Sequence, residues 1–382
     1  MSVPPLPSQE TLARGLDAIR TPGPNPPPPG ACLAVATPEG RAVACTGAAV
    51  LFDDRGPLAE PVPMTAGTAL DIGSVTKVLA TTSALMALVD DGLLRLSDRV
   101  GDVLPAAAGR PVADADVADL LQHRAGLWEW WPIYLTARTP EAALGAAAAL
   151  PLRHAPRSGR HYSDLGFMVL GAVVSAVAGL PLAEAVERLV LSPYDLTATR
   201  FAVPPAGRTV AASSRGDRIE REMVRTGRPY PVTGDPDAFS GWREHVLVGE
   251  VNDGNAFHAW AGTSGHAGLF STVDDLLTAG GAWLASLAGD GPVGTATVRR
   301  FLEPGADRGQ ALGFRRWRSE VDGCAVDVFG HTGFPGLAVG IVPAHTATVV
   351  LGTNRLHVDG APRDTEPMWQ TALAAAHHSL HA

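Results

Sequence analysis

Ser74 and Lys77 stand three residues apart in the run Asp71-Ile72-Gly73-Ser74-Val75-Thr76-Lys77. At a helix start that spacing brings both side chains to one face. A serine hydroxyl beside an amine suits acyl transfer, with the oxygen as nucleophile and the nitrogen as its proton acceptor. Of 30 basic residues, Lys77 alone is lysine and 29 are arginine. Arginine does not deprotonate in a protein, whereas a desolvated lysine can, so this position is singled out for chemistry that arginine cannot perform. Apolar Val78, Leu79, Leu85, Met86, Leu88 and Val89 make the helix over 74–90 a buried one, stopped at Gly92. Burial and the positive end of the helix dipole both lower an amine's pKa.

Two further constellations carry chemistry. His161-Tyr162-Ser163-Asp164 precedes an apolar helix, and Tyr162 and Asp164, two residues apart, can project together into a cleft. Standing alone, the motif reads more simply as an N-cap Asp164 beside a packed Tyr162. Gly330-His331-Thr332-Gly333-Phe334-Pro335-Gly336 lies between two expected strands, where glycines permit close backbone approach and a free N–H to bind an oxyanion. Trp128, Trp130, Trp131 and Tyr134 supply either an apolar substrate wall or a packed loop. No GxSxG elbow and no HExxH pair occur, and GDGPVG (289–294) follows an expected helix, so it reads as a loop. The sequence therefore calls for no cofactor and no metal.

The elements that position these residues follow from pattern and punctuation. Residues 1–30 read as an N-terminal arm with a short helix over 9–20 and a Pro-rich linker. A hairpin spans 31–50, an irregular stretch contains Pro57, Pro61 and Pro63, and helices separated by long loops run from about 100 to 250. The segment 205–245 reads as a polar surface excursion. Further on come a helix near 272–288, strands around 311–318, 323–330, 335–343 and 346–353, and a helix near 365–380. The expected fold is α/β (α+β): an antiparallel sheet flanked by helices, built from both chain ends (31–98 and 251–382), with an all-helical domain, 99–250, inserted.

Composition bounds the partners. A formal net charge of -9 argues against nucleic acid. The uncharged run from Leu165 to Ala183 is broken by Gly179 and Pro181 and suits a buried helix, not a membrane span. The N-terminus lacks the pattern of a signal peptide, giving a cytoplasmic expectation. Cys32, Cys45 and Cys324 read as ordinary buried thiols, with a Cys32–Cys45 bridge as the lesser alternative.

The three motifs in this order resemble the serine β-lactamase and penicillin-binding-protein superfamily, whose pattern is SxxK, Tyr-x-Asn and Lys/His-Thr-Gly. DLLQHRAGLW (119–128), GTSGHAGLFSTVDDL (262–276) and VVLGTNRLH (349–357) are similar to its class C-like branch of family VIII esterases, D-alanyl-D-alanine carboxypeptidases and acyltransferases. The resemblance implies that Ser74 is acylated, that Lys77 and Tyr162 manage its proton, and that the Ser74 and Phe334 amides form the oxyanion hole. It puts Asp164, His331, Thr332 and Gly333 against the substrate; Trp128 joins them only on the substrate-wall reading of the aromatic cluster. Two residues depart from the pattern: Asp164 replaces asparagine, and His331 replaces the lysine of β-lactamases. The expected activity is hydrolysis of a small ester or amide, a small-molecule or short-peptide substrate, through an acyl-serine. The alternatives are a carboxypeptidase or weak β-lactamase, an acyltransferase or peptide cyclase, and an inactive ligand-binding member. Lys77 as neutral base, or charged beside a Tyr162 base, remain two open readings.

Overall fold

The computed structural model describes residues 6–204, 206–321 and 324–379, with side chains for all of these except 320, 321, 324 and 377–379. The Cys324 side chain lies outside that description. In chain order the strands are β1 (Gly30–Thr37), β2 (Gly40–Asp53), β3 (Gly56–Pro63), β4 (Leu70–Asp71), β5 (Arg200–Phe201), β6 (Ala212–Arg215), β7 (Val246–Val248), β8 (Leu269–Ser271), β9 (Arg315–Val321), β10 (Cys324–Thr332), β11 (Leu337–Val342) and β12 (Ala347–Thr353). Seven of them form one antiparallel sheet in the order β3-β2-β1-β12-β11-β10-β9. The two chain ends meet where β1 pairs with β12, Ala34 opposite Val350. This is the expected α/β sheet built from both ends.

Both faces of the sheet are covered, which is why β1 and β12 are apolar at consecutive positions rather than alternate ones. Ala31, Leu33 and Val35 pack against the Gln9–Arg20 helix and the C-terminal Thr365–Ser379 helix. Cys32 and Ala34 face the other way, into a larger core with Val78, Leu79, Leu85 and the Val273–Ala288 helix. The N-terminal helix fits its expected bounds; Ser8 caps it by accepting the Thr11 amide.

Two expectations about the first 63 residues are corrected. The proline-containing stretch is not irregular: it forms β3, the sheet's edge strand, where a proline lacks only a donor that no neighbour needs. Its pairing with β2 is interrupted by irregularities between Ala48 and Phe52. Cys32 and Cys45 are not free thiols but form a disulfide. The hairpin register sets them directly opposite each other, with Cα atoms 4.1 Å apart. A bond of this kind belongs with oxidising surroundings.

The helix that begins after Ser74 is buried as expected, but its first turns, Lys77–Thr82, are π-helical before α-helix resumes at Ser83–Asp90. Such wide turns recur where a helix serves a site. Gly92, at φ 71°, ends it. Phe167, Val169, Leu170 and Val173 of the Asp164–Ala178 helix share its core, fixing the second motif against the first. Among the described residues, no single helix is long and apolar enough to cross a membrane.

Candidate active site

The nucleophile position is built by a turn, not by the helix alone. Asp71, at the end of β4, accepts the Gly73 amide at 2.8 Å and the Asn252 amide at 2.6 Å. Burial pushes its carboxyl up to about 6, against the pull of those two hydrogen bonds. Gly73 has φ 48°, and a Cβ there would lie 2.4 Å from the Pro335 ring and 3.3 Å from the Phe334 nitrogen. Only glycine permits that approach. It brings the amide nitrogens of Ser74 and Phe334 to one side of the turn, and neither has an acceptor among the described residues. Arg355 holds the Phe334 turn from behind, donating from Nε to the Phe334 carbonyl at 2.7 Å.

Lys77 is fully buried among polar partners. Its Nζ donates to Ser74 Oγ at 2.9 Å and to the His266 carbonyl at 3.2 Å, and it pairs with Asp164 Oδ1 at 2.7 Å. Burial disfavours the ammonium, but Asp164 and the Tyr162 oxygen more than offset it and hold Lys77 above the ordinary lysine range. The Tyr162 hydroxyl interacts with both Lys77 and Ser74; burial raises the phenol while Lys77 pulls it down, and the net shift is upward.

Asp164 is not the N-cap of its helix. Ser163 caps it, accepting the Gly166 amide at 3.1 Å, and this leaves the Asp164 carboxylate free to face Lys77. Residues 160–164 are extended enough to alternate. Arg160, Tyr162 and Asp164 line the cleft, whereas His161 and Ser163 turn away from it. The spacing that paired Tyr162 with Asp164 would have found Arg160 had it been continued one step back.

On the opposite wall β10 contributes His331 and Thr332. His331 donates from Nδ1 to the Thr332 carbonyl at 2.6 Å, which leaves Nε2 as a bare acceptor, and burial with Lys77 and Arg315 nearby takes its pKa well below the usual imidazole value. It is therefore neutral. The cations of this wall are Arg315, which donates to Thr332 Oγ1 at 3.1 Å and pairs with Glu366, and Arg160, held by Gln310. Sequence reading missed Arg315, because an arginine among 29 carries no signal of its own.

The cavity enclosed by these groups is about 570 Å³. Gly333 and Phe334 also line it. Trp128 does not: its indole donates to the Pro151 carbonyl and packs edge-on against Trp131, and Trp130 takes the cleft position instead. Tyr134 is buried behind that wall. The segment 205–245 is more than a surface excursion. Its helix Arg218–Thr226 and the turn after it set Ile219, Glu220, Met223, Pro229 and Tyr230 over the cleft. Burial and the neighbouring Asp253 push Glu220 up to about 8.

A cleft between a sheet edge and a helical layer, with an amine-linked serine beside two free amides, is the arrangement of β-lactamase-fold hydrolases. Residues 29–373 match the Beta-lactamase family model, and the chain belongs to that family. Over 360 residues it is 30% identical to the N-acetylmuramyl-L-alanine amidase of Bacillus subtilis, spanning 86% of this chain and 78% of that one. It is 28% identical to a putative D-alanyl-D-alanine carboxypeptidase of Escherichia coli, over 84% and 77% of the two chains. Among solved structures, the hydrolase EstCE1, which has promiscuous acyltransferase activity, superposes with a TM-score of 0.69 at 19% identity, covering 98% of this chain and 99% of that one.

Proposed function

We propose that this protein is a serine acyl hydrolase that cleaves a small amide or ester carrying a carboxylate, through an acyl-enzyme on Ser74. The observation that carries the reading is the Ser74–Lys77–Asp164 chain, 2.9 and 2.7 Å long, beside two unpartnered amides. The Ser74 oxygen attacks the carbonyl carbon, and the resulting oxyanion is stabilised by the Ser74 and Phe334 N–H groups. An ammonium engaged by a carboxylate has no lone pair to accept the serine proton. Lys77 accordingly acts as the fixed positive charge, and Tyr162, in reach of both Ser74 and Lys77, takes the proton in its phenolate form, a minority species at neutral pH given its raised pKa, and returns it to the leaving group. Water then resolves the acyl-enzyme by the reverse path.

The substrate reading rests on the cleft's polarity. With His331 neutral, Arg160 and Arg315 are the cations nearest Thr332 for an anionic substrate group; Arg355 also lines the cavity but is engaged by the Phe334 and Arg363 carbonyls. Trp130, Ile219, Met223 and Tyr230 form an apolar wall opposite. The names of the curated relatives, an amidase and a carboxypeptidase, favour the amide over the ester. Intact-mass analysis with a fluorophosphonate tests the mechanism: a single adduct on the wild type and none on Ser74→Ala is expected. An adduct of equal rate on Ser74→Ala would overturn the assignment. Release of product from short peptides and amino-acid amides, compared with matched neutral esters, tests the substrate class.

A further inference from the structure

The side of the 160–164 segment that faces away from the cleft carries its own constellation. His161, pointing opposite to Tyr162, stacks on His154 with ring centroids 3.5 Å apart and planes 5° from parallel. Glu129 Oε1 lies 3.1 Å from His154 Nε2. One nitrogen from each ring and one oxygen of the carboxylate all fall within 4.8 Å of one another. Ligand atoms around a tetrahedral ion are about 3.4 Å apart; the His154–Glu129 pair, at 3.1 Å, is near that spacing, and the stacked rings must swing out of parallel for both to aim a nitrogen at one ion.

We propose that Glu129, His154 and His161 bind a divalent transition-metal ion of the zinc type. Two imidazoles and one carboxylate suit Zn2+, Ni2+ or Cu2+ over Mg2+ or Ca2+, which take oxygen ligands. The surroundings orient the ligands as an outer shell does. Arg153 holds Glu129 Oε2, turning Oε1 towards the rings. The backbone amides of Arg153 and His154 both donate to the Gly126 carbonyl, and that of His161 donates to the His123 carbonyl. Both histidines are thereby tied to one turn. Gly126, at φ 80°, keeps that turn tight; a Cβ there would lie 2.3 Å from the His154 carbonyl oxygen.

None of the three residues lines the catalytic cleft, so the ion plays no part in the acyl chemistry. It acts as a staple. The Asp164 amide donates to the Glu129 carbonyl and the Ser163 hydroxyl to the Trp128 carbonyl. An ion joining Glu129 to His161 adds a third tie across the same two segments, the ones that carry Tyr162 and Asp164.

The test uses full-length protein stripped with a chelator and titrated with Co2+, whose visible absorption reports nitrogen and oxygen coordination, and with Zn2+ by calorimetry. One equivalent is expected to bind at micromolar or lower concentration, with a rise in Tm. His154→Gln and His161→Gln are each expected to weaken binding at least tenfold while keeping the metal-free Tm of the wild type. Glu129→Gln provides a third variant should either histidine change disturb folding. Because His377 and His378 offer another pair of imidazoles, a His377→Ala/His378→Ala variant is the control, and it should bind as the wild type does. Absence of stoichiometric binding, retention of binding in the His154 and His161 variants, or its loss in the control would each overturn the proposal.

Discussion

The Asp164 carboxylate lies 2.7 Å from the Lys77 ammonium, at the position where the motif of this superfamily carries asparagine. The pair is almost wholly withdrawn from water, Lys77 completely and Asp164 to all but 17% of its side chain. Removing one partner strands a charge. Asp164→Ala is expected to cost about 3–5 kcal/mol in chemical denaturation at neutral pH. The Lys77→Met/Asp164→Asn double variant should lose much less, since no buried charge is left unpaired. Equal losses in the two proteins would mean that the pair is not coupled.

The division of labour between Lys77 and Tyr162 separates on substitution. Tyr162→Phe keeps the ring but removes the proton acceptor, and should slow fluorophosphonate labelling by about 100- to 10,000-fold. Lys77→Arg keeps the charge, and should slow it less. The reverse order of rates would make Lys77 the base.

Arg160 and Arg315 should matter only when the substrate has an anion to offer them. Arg160→Ala is expected to raise KM for carboxylate-bearing amides by roughly ten- to a hundredfold, the loss of one charged hydrogen bond, and to leave neutral esters unchanged. Steady-state kinetics on a matched pair of substrates decides it.

Asp71 ties folding to pH. Its carboxyl is raised from an unfolded value near 3.8 to about 6, so the native state holds the proton more tightly than the unfolded chain does. The associated stability is therefore complete below about pH 4 and falls away as pH rises through 6, by on the order of 2–3 kcal/mol. Asp71→Asn cannot titrate. The stability difference between wild type and variant, followed by denaturant melts from pH 4 to 7, should change across that window and be flat above it.

The Cys32–Cys45 bond closes a short hairpin loop, and Cys45→Ser is expected to cost about 3 kcal/mol. Intact mass before and after reduction, read as the gain of two hydrogens, checks that the bond is present in the purified protein.

Much of the site was legible because its residues sit where chain geometry is stereotyped. Ser74 and Lys77 stand one helical turn apart, Tyr162 and Asp164 lie two residues apart on the extended lead into a helix, and His331 and Thr332 end a strand whose glycine turn carries Phe334. What escaped was long-range or combinatorial. Arg315 comes to Thr332 only through the β9–β10 register. The cover formed by Ile219, Met223 and Tyr230 depends on how an irregular polar segment folds back over the cleft. The choice of Trp130 over Trp128 turns on the direction of two indoles in a loop. For Cys32 and Cys45 the bridge is the lesser reading of the sequence, and the hairpin register that sets them face to face decides in its favour.

The union of β1 with β12 has a consequence for how the protein comes into being. Ala31 pairs with Thr353, so the sheet's centre joins positions more than 300 residues apart. During synthesis the β1–β2 hairpin must wait, with one edge unsatisfied, until the residues of β12 have left the ribosome. Contacts of such long sequence separation slow folding and leave the waiting edge open to misassociation. A chain truncated before residue 347 would lack the central strand and the far half of the sheet that hangs from it would have nothing to join, so shortened translation products are expected to aggregate, not to persist as partly active fragments.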